Sequence, residues 1–361
     1  MSKPIDFFPN LLTFQNGETV QTKEAWSKRR TELLRILSEH EYGITPGVCG
    51  ETTATVKMVI EKCASGHGIL EQIEIAFPTP KGNFSFPIWY FHPNDKNRHI
   101  TFVCPGFNDD PYNKYLPAEE IIDRGFGVVT FQYEDVTTDN GDFTNGLASH
   151  FERRKDGTDW GKIGMWAFAC SRVADCLLTR PEVSALGVIG HSRLGKTALW
   201  CAAQDERFAF ACSNDSGCSG ASYERAKHEG AETVRDITAP ERFYYWFCEN
   251  YRQYANRATE MPFDQHFLLA LIAPRLLCVG SASLDAWADP YTEQLACIGA
   301  TPAWKLYGKQ GFIGKTEPAI SGDVFDKGEI YYHLRNGIHF LGRGDWNGYM
   351  NFLQEKKLFS R

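Results

Sequence analysis

Apolar and polar residues alternate at two different spacings in the first quarter of this chain. Between residues 22 and 41, Trp26, Leu33 and Leu37 stand among charged residues at the spacing of an amphipathic helix. Three runs then alternate or cluster apolar residues and are separated by turns that contain Gly or Pro, at 55–64, 69–77 and 84–93. This pattern predicts a helix followed by an antiparallel three-stranded meander.

From residue 99 onward, short apolar strands alternate with segments of helical length. The strand-like runs include HITFVCPG, FGVVTFQYE, ALGVIG, FAFACSNDSG and RLLCVGSAS. Between and after them we expect a helix over 160–180, a helical pair around 244–254 and 264–271, the separate segments PYTEQLACIG and TPAWKLYG, and a final helix near 346–356. Such alternation is typical of a mostly parallel sheet with helices on both faces. The antiparallel strands at its start predict an α/β-hydrolase fold, a three-layer α/β/α sandwich.

The length of 361 residues is compatible with about two or three domains. The strand pattern, however, places all the candidate chemistry on one continuous sheet. We therefore predict a single domain over 1–361, in which 1–95 supplies the helix and antiparallel strands and 96–361 forms the catalytic core.

Composition narrows the possible partners. Hydrophobic residues make up 43% of the chain and charged residues 23%, which excludes a disordered or fibrous protein. The net charge of −7 gives no basic surface for nucleic acid or anionic lipid. No apolar run approaches the 18 or so residues of a membrane span. We expect neither nucleic acid nor a membrane as a partner, and the oligomeric state stays open.

The eleven cysteines are scattered singly, without a CxxC pair or a zinc-ligand spacing. Several, including Cys104, Cys170, Cys176 and Cys278, stand in apolar runs. They are interpreted as reduced, buried thiols, and no metal or cofactor is expected. Because the first residues show no secretion signal, a cytoplasmic location is predicted, with a trimmed secreted protein as the alternative.

The segment ALGVIGHSRLGKTALW carries the strongest chemical signal, and two mechanisms fit it. From Gly190 to Thr197 it matches G-x-x-x-x-G-K-[ST], the loop that binds nucleotide phosphates. It also reads as a strand, a tight turn and a helix with Ser192 at the apex, which is a nucleophile elbow. About 190 residues and several strands precede it, a position that favours the elbow over a P-loop.

A nucleophilic serine needs a histidine base, and the base needs a carboxylate that fixes its tautomer. In this fold the order along the chain is Ser, acid, His. His339, in the run RNGIHFLGRGDW before the final helix, is the candidate base. Asp215 follows the strand FAFACSN and Asp285 follows the strand RLLCVGSAS, so both remain candidate acids. His191, His266 and His333 are expected to be structural.

Several motifs together resemble the glucuronoyl esterases of carbohydrate esterase family fifteen, in particular bacterial members often labelled acetylxylan esterase. The resemblance runs from about residue 160 to the C-terminus, and it includes GHSRLGK, SNDSGCSGA, WFCENYRQY, MPFDQHFLLALIAPR, DAWADP and a final R-x-G-x-H with its DW. The family implies a serine esterase that acts on esters of (4-O-methyl-)glucuronic acid, as in xylan–lignin linkages.

The resemblance also implies roles for individual residues. Ser192 is the expected nucleophile and His339 the base, while family members place the acid at the Asp215 position, near Asp285, or at both. Arg193 is expected to stabilise the oxyanion. Lys196, Glu232 and Trp287 are expected to bind the sugar. A carbohydrate carrying a glucuronate ester, such as a glucuronoxylan fragment, is the expected partner. An acetylxylan or other small-ester esterase, a P-loop nucleotide-binding protein and a catalytically silent saccharide-binding relative remain as alternatives.

Overall fold

One mixed sheet organises the part of the chain that the computed structural model describes, residues 7–358. Within that part ten strands hydrogen-bond in the order β1-β2-β3-β5-β4-β6-β7-β8-β10-β9. Their bounds are β1 Thr53–Cys63, β2 Gly68–Thr79, β3 Gly82–Pro93, β4 His99–Gly106, β5 Gly127–Gln132, β6 Val183–His191, β7 Phe208–Asn214, β8 Leu276–Ala282, β9 Val324–Phe325 and β10 Ile330–Arg335.

The sheet changes character along its width. Strands β1, β2 and β3 are antiparallel neighbours, and β3 joins the rest through an antiparallel pairing with β5. From β5 through β4, β6, β7 and β8 to β10, each adjacent pair of strands is parallel, and the short β9 then pairs antiparallel with β10. Strand β2 alternates between buried and partly exposed residues, whereas β8 is buried throughout, as expected for a parallel strand covered on both faces. The predicted antiparallel entry and parallel core are confirmed.

Helices cover both faces of the sheet. Their bounds are α1 Lys23–Leu37, α2 Ala118–Asp123, α3 Tyr133–Val136, α4 Gly146–Ser149, α5 Lys162–Leu177, α6 Arg193–Gln204, α7 Val234–Ile237, α8 Gln265–Ala270, α9 Pro290–Lys305 and α10 Arg343–Glu355. One apolar core contains Trp26 of α1, Trp166 of α5 and Trp200 of α6. A second contains Ile121 of α2 and Trp346 of α10. The result is the three-layer sandwich that the alternating pattern predicted.

Two local expectations need correction or refinement. The segments PYTEQLACIG and TPAWKLYG are not separate, because α9 runs from the first into the second and includes Pro302. Ala296, Ala300 and Ala303 follow one another at helical spacing on its buried side, so packing continues the helix through the proline. The helical pair is present as the short 3₁₀ turns Tyr244–Trp246 and Glu249–Tyr254 together with α8.

Within residues 7–358, no helix is both long enough and apolar enough to cross a bilayer. All eleven cysteines fall in this range as free thiols, and most are buried, although Cys49 is exposed. The division of 1–361 into a single domain stays a prediction, and residues 1–6 and 359–361 lie outside the described range.

Candidate active site

Ser192 forms a one-residue turn between β6 and α6. Its backbone has φ 58° and ψ −127°, a strained conformation for a residue with a side chain. The turn is tight enough that a Cβ on Gly190 would lie 1.9 Å from the carbonyl oxygen of Leu194. This is the geometry of a nucleophile elbow, which exposes a serine hydroxyl at the carboxyl end of a central strand.

The same turn argues against the nucleotide-binding alternative. A single residue between strand and helix leaves no loop whose N–H groups could surround a phosphate. The ammonium group of Lys196 is buried and donates a hydrogen bond to the carbonyl oxygen of Ser216. The hydroxyl of Thr197 donates to the carbonyl oxygen of Arg193 within α6. The absence of a loop at this turn and the engagement of the Thr197 hydroxyl within α6 are what oppose phosphate binding here.

His339 lies beside the elbow and is paired with Asp285. It belongs to the loop between β10 and α10, and its ring centroid is 4.4 Å from that of His191, the residue before Ser192. Its Nδ1 is 2.5 Å from Oδ2 of Asp285, which follows β8. The Asp285 side chain is buried, whereas that of His339 is 44% exposed. With Nδ1 donating to the carboxylate, Nε2 is left as the proton acceptor of the ring.

Asp215 stands close to this pair but bonds elsewhere. A carboxylate oxygen of Asp215, a carboxylate oxygen of Asp285 and a ring nitrogen of His339 lie within 4.8 Å of one another. Oδ2 of Asp215 accepts hydrogen bonds from Nη2 of Arg335 at 3.1 Å and from the N–H of Phe340 at 3.2 Å. Burial, together with the charges of Glu293 and Asp285, raises the pKa of Asp215 to about 9 against the lowering effect of Arg335. Asp215 is therefore a protonated neighbour of the histidine loop at neutral pH.

These three side chains could offer ligands to a metal ion, but their surroundings oppose it. Nδ1 of His339 and Oδ2 of Asp285 are already bonded to each other, and the Arg335 guanidinium lies against Asp215. A cation would have to displace the first contact and withstand the arginine charge. The group is better suited to hold and move a proton than to bind a metal.

The other histidines singled out from the sequence are buried and hydrogen-bonded. Nδ1 of His191 donates to Oδ1 of Asn214 at 2.7 Å, and burial lowers the pKa of His191 to about 3, so its ring is neutral. His266 bonds the carbonyl oxygen of Pro9 through Nε2. His333 bonds Oδ1 of Asp345 through Nε2 at 2.8 Å.

Arg193 begins α6 and is held by groups from distant parts of the chain. Its guanidinium pairs with Oδ2 of Asp139 and lies 4.8 Å from the ring centroid of Trp246. Oδ1 of Asp139 accepts the indole N–H of Trp246 at 2.6 Å, and Oδ2 accepts the hydroxyl of Tyr133 at 2.8 Å. The carboxylate and the indole ring fix the arginine beside Ser192. Sequence reasoning missed Asp139 and Trp246, since no spacing connects them to the elbow.

The three residues expected to bind sugar lie on neighbouring segments. The N–H of Glu232 donates to the carbonyl oxygen of Trp287 at 2.9 Å, which joins the two loops. Oε1 of Glu232 accepts from Nη2 of Arg242 at 3.2 Å, and the Arg242 guanidinium lies 5.4 Å from the ring centroid of Trp287. Burial lowers the pKa of Lys196, and the charge of Glu232 opposes that shift. Arg242, like Asp139, was not anticipated from the sequence.

Comparison with known proteins identifies the family. Residues 113–308 match the family model described as "Glucuronyl esterase, fungi". A carbohydrate esterase named MZ0003, from an unknown prokaryotic organism, is 32% identical over 95% of this chain and 88% of its own length. The chain belongs to the glucuronoyl esterase family, CE15. The membership suggested by its motifs is confirmed.

Solved structures of this glucuronoyl esterase family share the fold closely. A glucuronoyl esterase from Solibacter usitatus superposes with a TM-score of 0.88 at 31% identity and covers 98% of this chain and 99% of its own. A promiscuous CE15 esterase from the marine bacterial metagenome superposes with a TM-score of 0.86 at 30% identity, over 97% of both chains. The 4-O-methyl-glucuronoyl methylesterase of Podospora anserina is 27% identical over 84% of this chain, which spans 61% of that enzyme.

Proposed function

We propose that this CE15 member hydrolyses esters formed by the carboxyl group of glucuronic acid or 4-O-methylglucuronic acid. The observation that carries the proposal is the His339–Asp285 pair beside the strained elbow of Ser192, in a chain of the glucuronoyl esterase family. The name of the Podospora anserina relative, 4-O-methyl-glucuronoyl methylesterase, supports the substrate class. Glucuronoxylan fragments that carry such an ester are the proposed carbohydrate partner.

The proposed reaction proceeds through a covalent intermediate. Oγ of Ser192 attacks the ester carbonyl carbon while Nε2 of His339 takes the hydroxyl proton. Asp285 stabilises the imidazolium through Nδ1. The tetrahedral intermediate collapses, the C–O bond to the alcohol breaks, and His339 returns the proton to the leaving alcohol. Water, activated by the same histidine, then hydrolyses the glucuronoyl-enzyme and releases the free acid.

Arg193 supplies the proposed stabilisation of the oxyanion. It is the first residue of α6, so its backbone N–H is one of those without an acceptor within the helix, and the N-terminal end of the helix favours negative charge. In this fold the N–H after the nucleophile is an oxyanion donor. A well-placed donor of this kind contributes about 3–4 kcal/mol to the transition state. The guanidinium, which Asp139 and Trp246 hold in place, is proposed as a second positive group for the oxyanion.

Sugar binding is assigned to Lys196, Glu232 and Trp287. Trp287 is 43% exposed although it is a large aromatic residue, which suits a ring that stacks on a pyranose face. Lys196 and Glu232 are buried and offer hydrogen-bonding groups of opposite charge for hydroxyls. Glucuronate esters should therefore be recognised through their ring as well as through the reacting carbonyl.

The test is an assay of benzyl glucuronate hydrolysis, in which the release of benzyl alcohol and glucuronic acid is measured. The wild-type protein is expected to turn over, and Ser192→Ala to lose at least a thousandfold in kcat. Ser184→Ala, which removes a hydroxyl from the same strand β6, is the matched control and should keep full activity. An acetylated xylo-oligosaccharide, assayed in parallel with the glucuronate ester, distinguishes the proposed activity from that of an acetylxylan esterase. Turnover of the acetyl ester alone would overturn the proposed substrate.

A further inference from the structure

The loop that carries His339 is hydrogen-bonded to the last residue of the strand that precedes it. Arg335 ends β10, and its Nη2 donates hydrogen bonds to the carbonyl oxygens of Ile338, at 2.9 Å, and of Phe340. These are the residues directly before and after His339. The backbone on both sides of the histidine is therefore tied to one guanidinium group.

That guanidinium is itself anchored by two buried carboxyl groups. Nε of Arg335 shares its one hydrogen between Oδ1 and Oδ2 of Asp345, at 2.8 and 3.0 Å, and Nη2 shares its two hydrogens among the two loop carbonyls and Oδ2 of Asp215, which is 3.1 Å away. Asp345 also accepts the N–H of Gly342 at 2.8 Å, while Oδ2 of Asp215 accepts the N–H of Phe340 at 3.2 Å. The loop is thus held through its carbonyls by the arginine and through its N–H groups by the partners of that arginine.

Two side-chain contacts orient the ring of His339: the hydrogen bond to Asp285 and the packing against the ring of His191. Its side chain is 44% exposed, and its hydrogen bond to Asp285 fixes only Nδ1. The position of Nε2 relative to Ser192 therefore depends on the backbone of the loop. Displacements of about 1 Å in such groups can cost about a hundredfold in rate.

We propose that Arg335 is a positioning residue, which holds His339 in reach of Ser192 by binding the carbonyl groups on either side of the histidine. The inference rests on the proposed function, in which His339 is the base. The planar guanidinium serves several acceptors in different directions at once, whereas a lysine ammonium at the end of a flexible stem cannot reproduce that fork.

Arg335→Lys keeps the positive charge but removes the planar guanidinium with its several N–H donors. The variant therefore distinguishes a positioning role from an effect of charge alone. With benzyl glucuronate, we expect kcat to fall about a hundredfold while KM stays within about threefold. Arg343→Lys is the matched control, since Arg343 lies at the start of α10, is largely exposed and pairs with the carboxylate of Glu120 at 2.7 Å. That variant should keep wild-type kcat.

Two measurements distinguish positioning from a loss of folded protein. The deficit of Arg335→Lys should persist at temperatures well below its unfolding midpoint, and guanidinium ion should restore part of the kcat of Arg335→Ala. If these variants do not fold, Asp345→Asn, which weakens the anchor of the arginine, should lower kcat in the same way. Arg335→Lys with kcat within twofold of wild type would overturn the inference, as would a deficit that disappears on cooling. Failure of the wild-type protein to hydrolyse the ester would instead overturn the proposed function.

Discussion

Replacing each candidate acid by its amide separates two carboxyl groups that the sequence could not distinguish. Asp285→Asn removes the charge that faces Nδ1 of His339 at 2.5 Å. The amide can then present a donor to the ring and favour the wrong tautomer, with the proton on Nε2. We expect a large loss of kcat for this variant. Asp215→Asn should have a small effect.

The size of the first loss follows from the charge pair. A carboxylate and an imidazolium whose charge centres are about 4 Å apart interact by about 4 kcal/mol at an effective dielectric constant of about 20. That energy corresponds to about a thousandfold in rate. Because His339 is 44% exposed, water screens part of it, and we expect a loss between about 100-fold and 1,000-fold.

The effect of Asp215→Asn on kcat is expected to be small because the substitution changes the charge at this position very little. Burial and neighbouring carboxylates raise the pKa of Asp215 to about 9, so the group carries its proton at the pH of the assay. An asparagine oxygen can still accept from Arg335 and from the N–H of Phe340. We expect kcat of Asp215→Asn to stay within about threefold of the wild-type value.

Steady-state hydrolysis of benzyl glucuronate at pH 7.5 compares the two variants directly, with thermal unfolding measured on the same samples. Equal losses in both variants would refute the assignment of Asp285 as the sole partner of His339. A large loss in Asp215→Asn alone would reverse the assignment.

Four further outcomes are expected. Asp215 is neutral when folded and charged when unfolded between about pH 4 and pH 9, so its own contribution to stability falls as pH rises through that range. Asp215→Asn should therefore raise the melting temperature more at pH 8 than at pH 4, and an equal change at both would contradict the shifted pKa. Ser192→Gly should be about 1 kcal/mol more stable than Ser192→Ala in urea unfolding, because glycine accepts the φ of 58°. Trp287→Ala should raise KM for the glucuronate ester about tenfold without lowering the melting temperature, whereas an unchanged KM would exclude stacking. Ellman's reagent should titrate about one thiol, that of the exposed Cys49, in native protein and all eleven after denaturation.

The sheet and the elbow could be predicted because their signals are local. The buried strand ALGVIG, the glycine at 190 and the helix after Ser192 are properties of one short segment. A Cβ at Gly190 would collide with the backbone of the next turn, so a glycine at this position is itself a sign of the tight turn. His339 could be chosen because the order of the strands leaves the base in the loop before the last helix.

The acid and the anchor of Arg193 could not be predicted in the same way. Asp215 and Asp285 follow neighbouring strands, β7 and β8, and both reach the same edge of the sheet. Which of them meets Nδ1 of His339 depends on how the loops after β7, β8 and β10 pack together, and no sequence pattern encodes that packing. Asp139 lies far from Arg193 in the chain, and the two pair only in the folded protein, where Trp246 contacts both of them.

The order of elements, the strained nucleophile turn and the family were already determined by the sequence, since each depends on short-range residue patterns. Only the tertiary structure decided which carboxylate hydrogen-bonds to His339, which groups hold Arg193 and which contacts hold the loop that carries His339. These contacts join segments far apart in the chain, and their energies depend on distances and burial that exist only after the sheet has assembled.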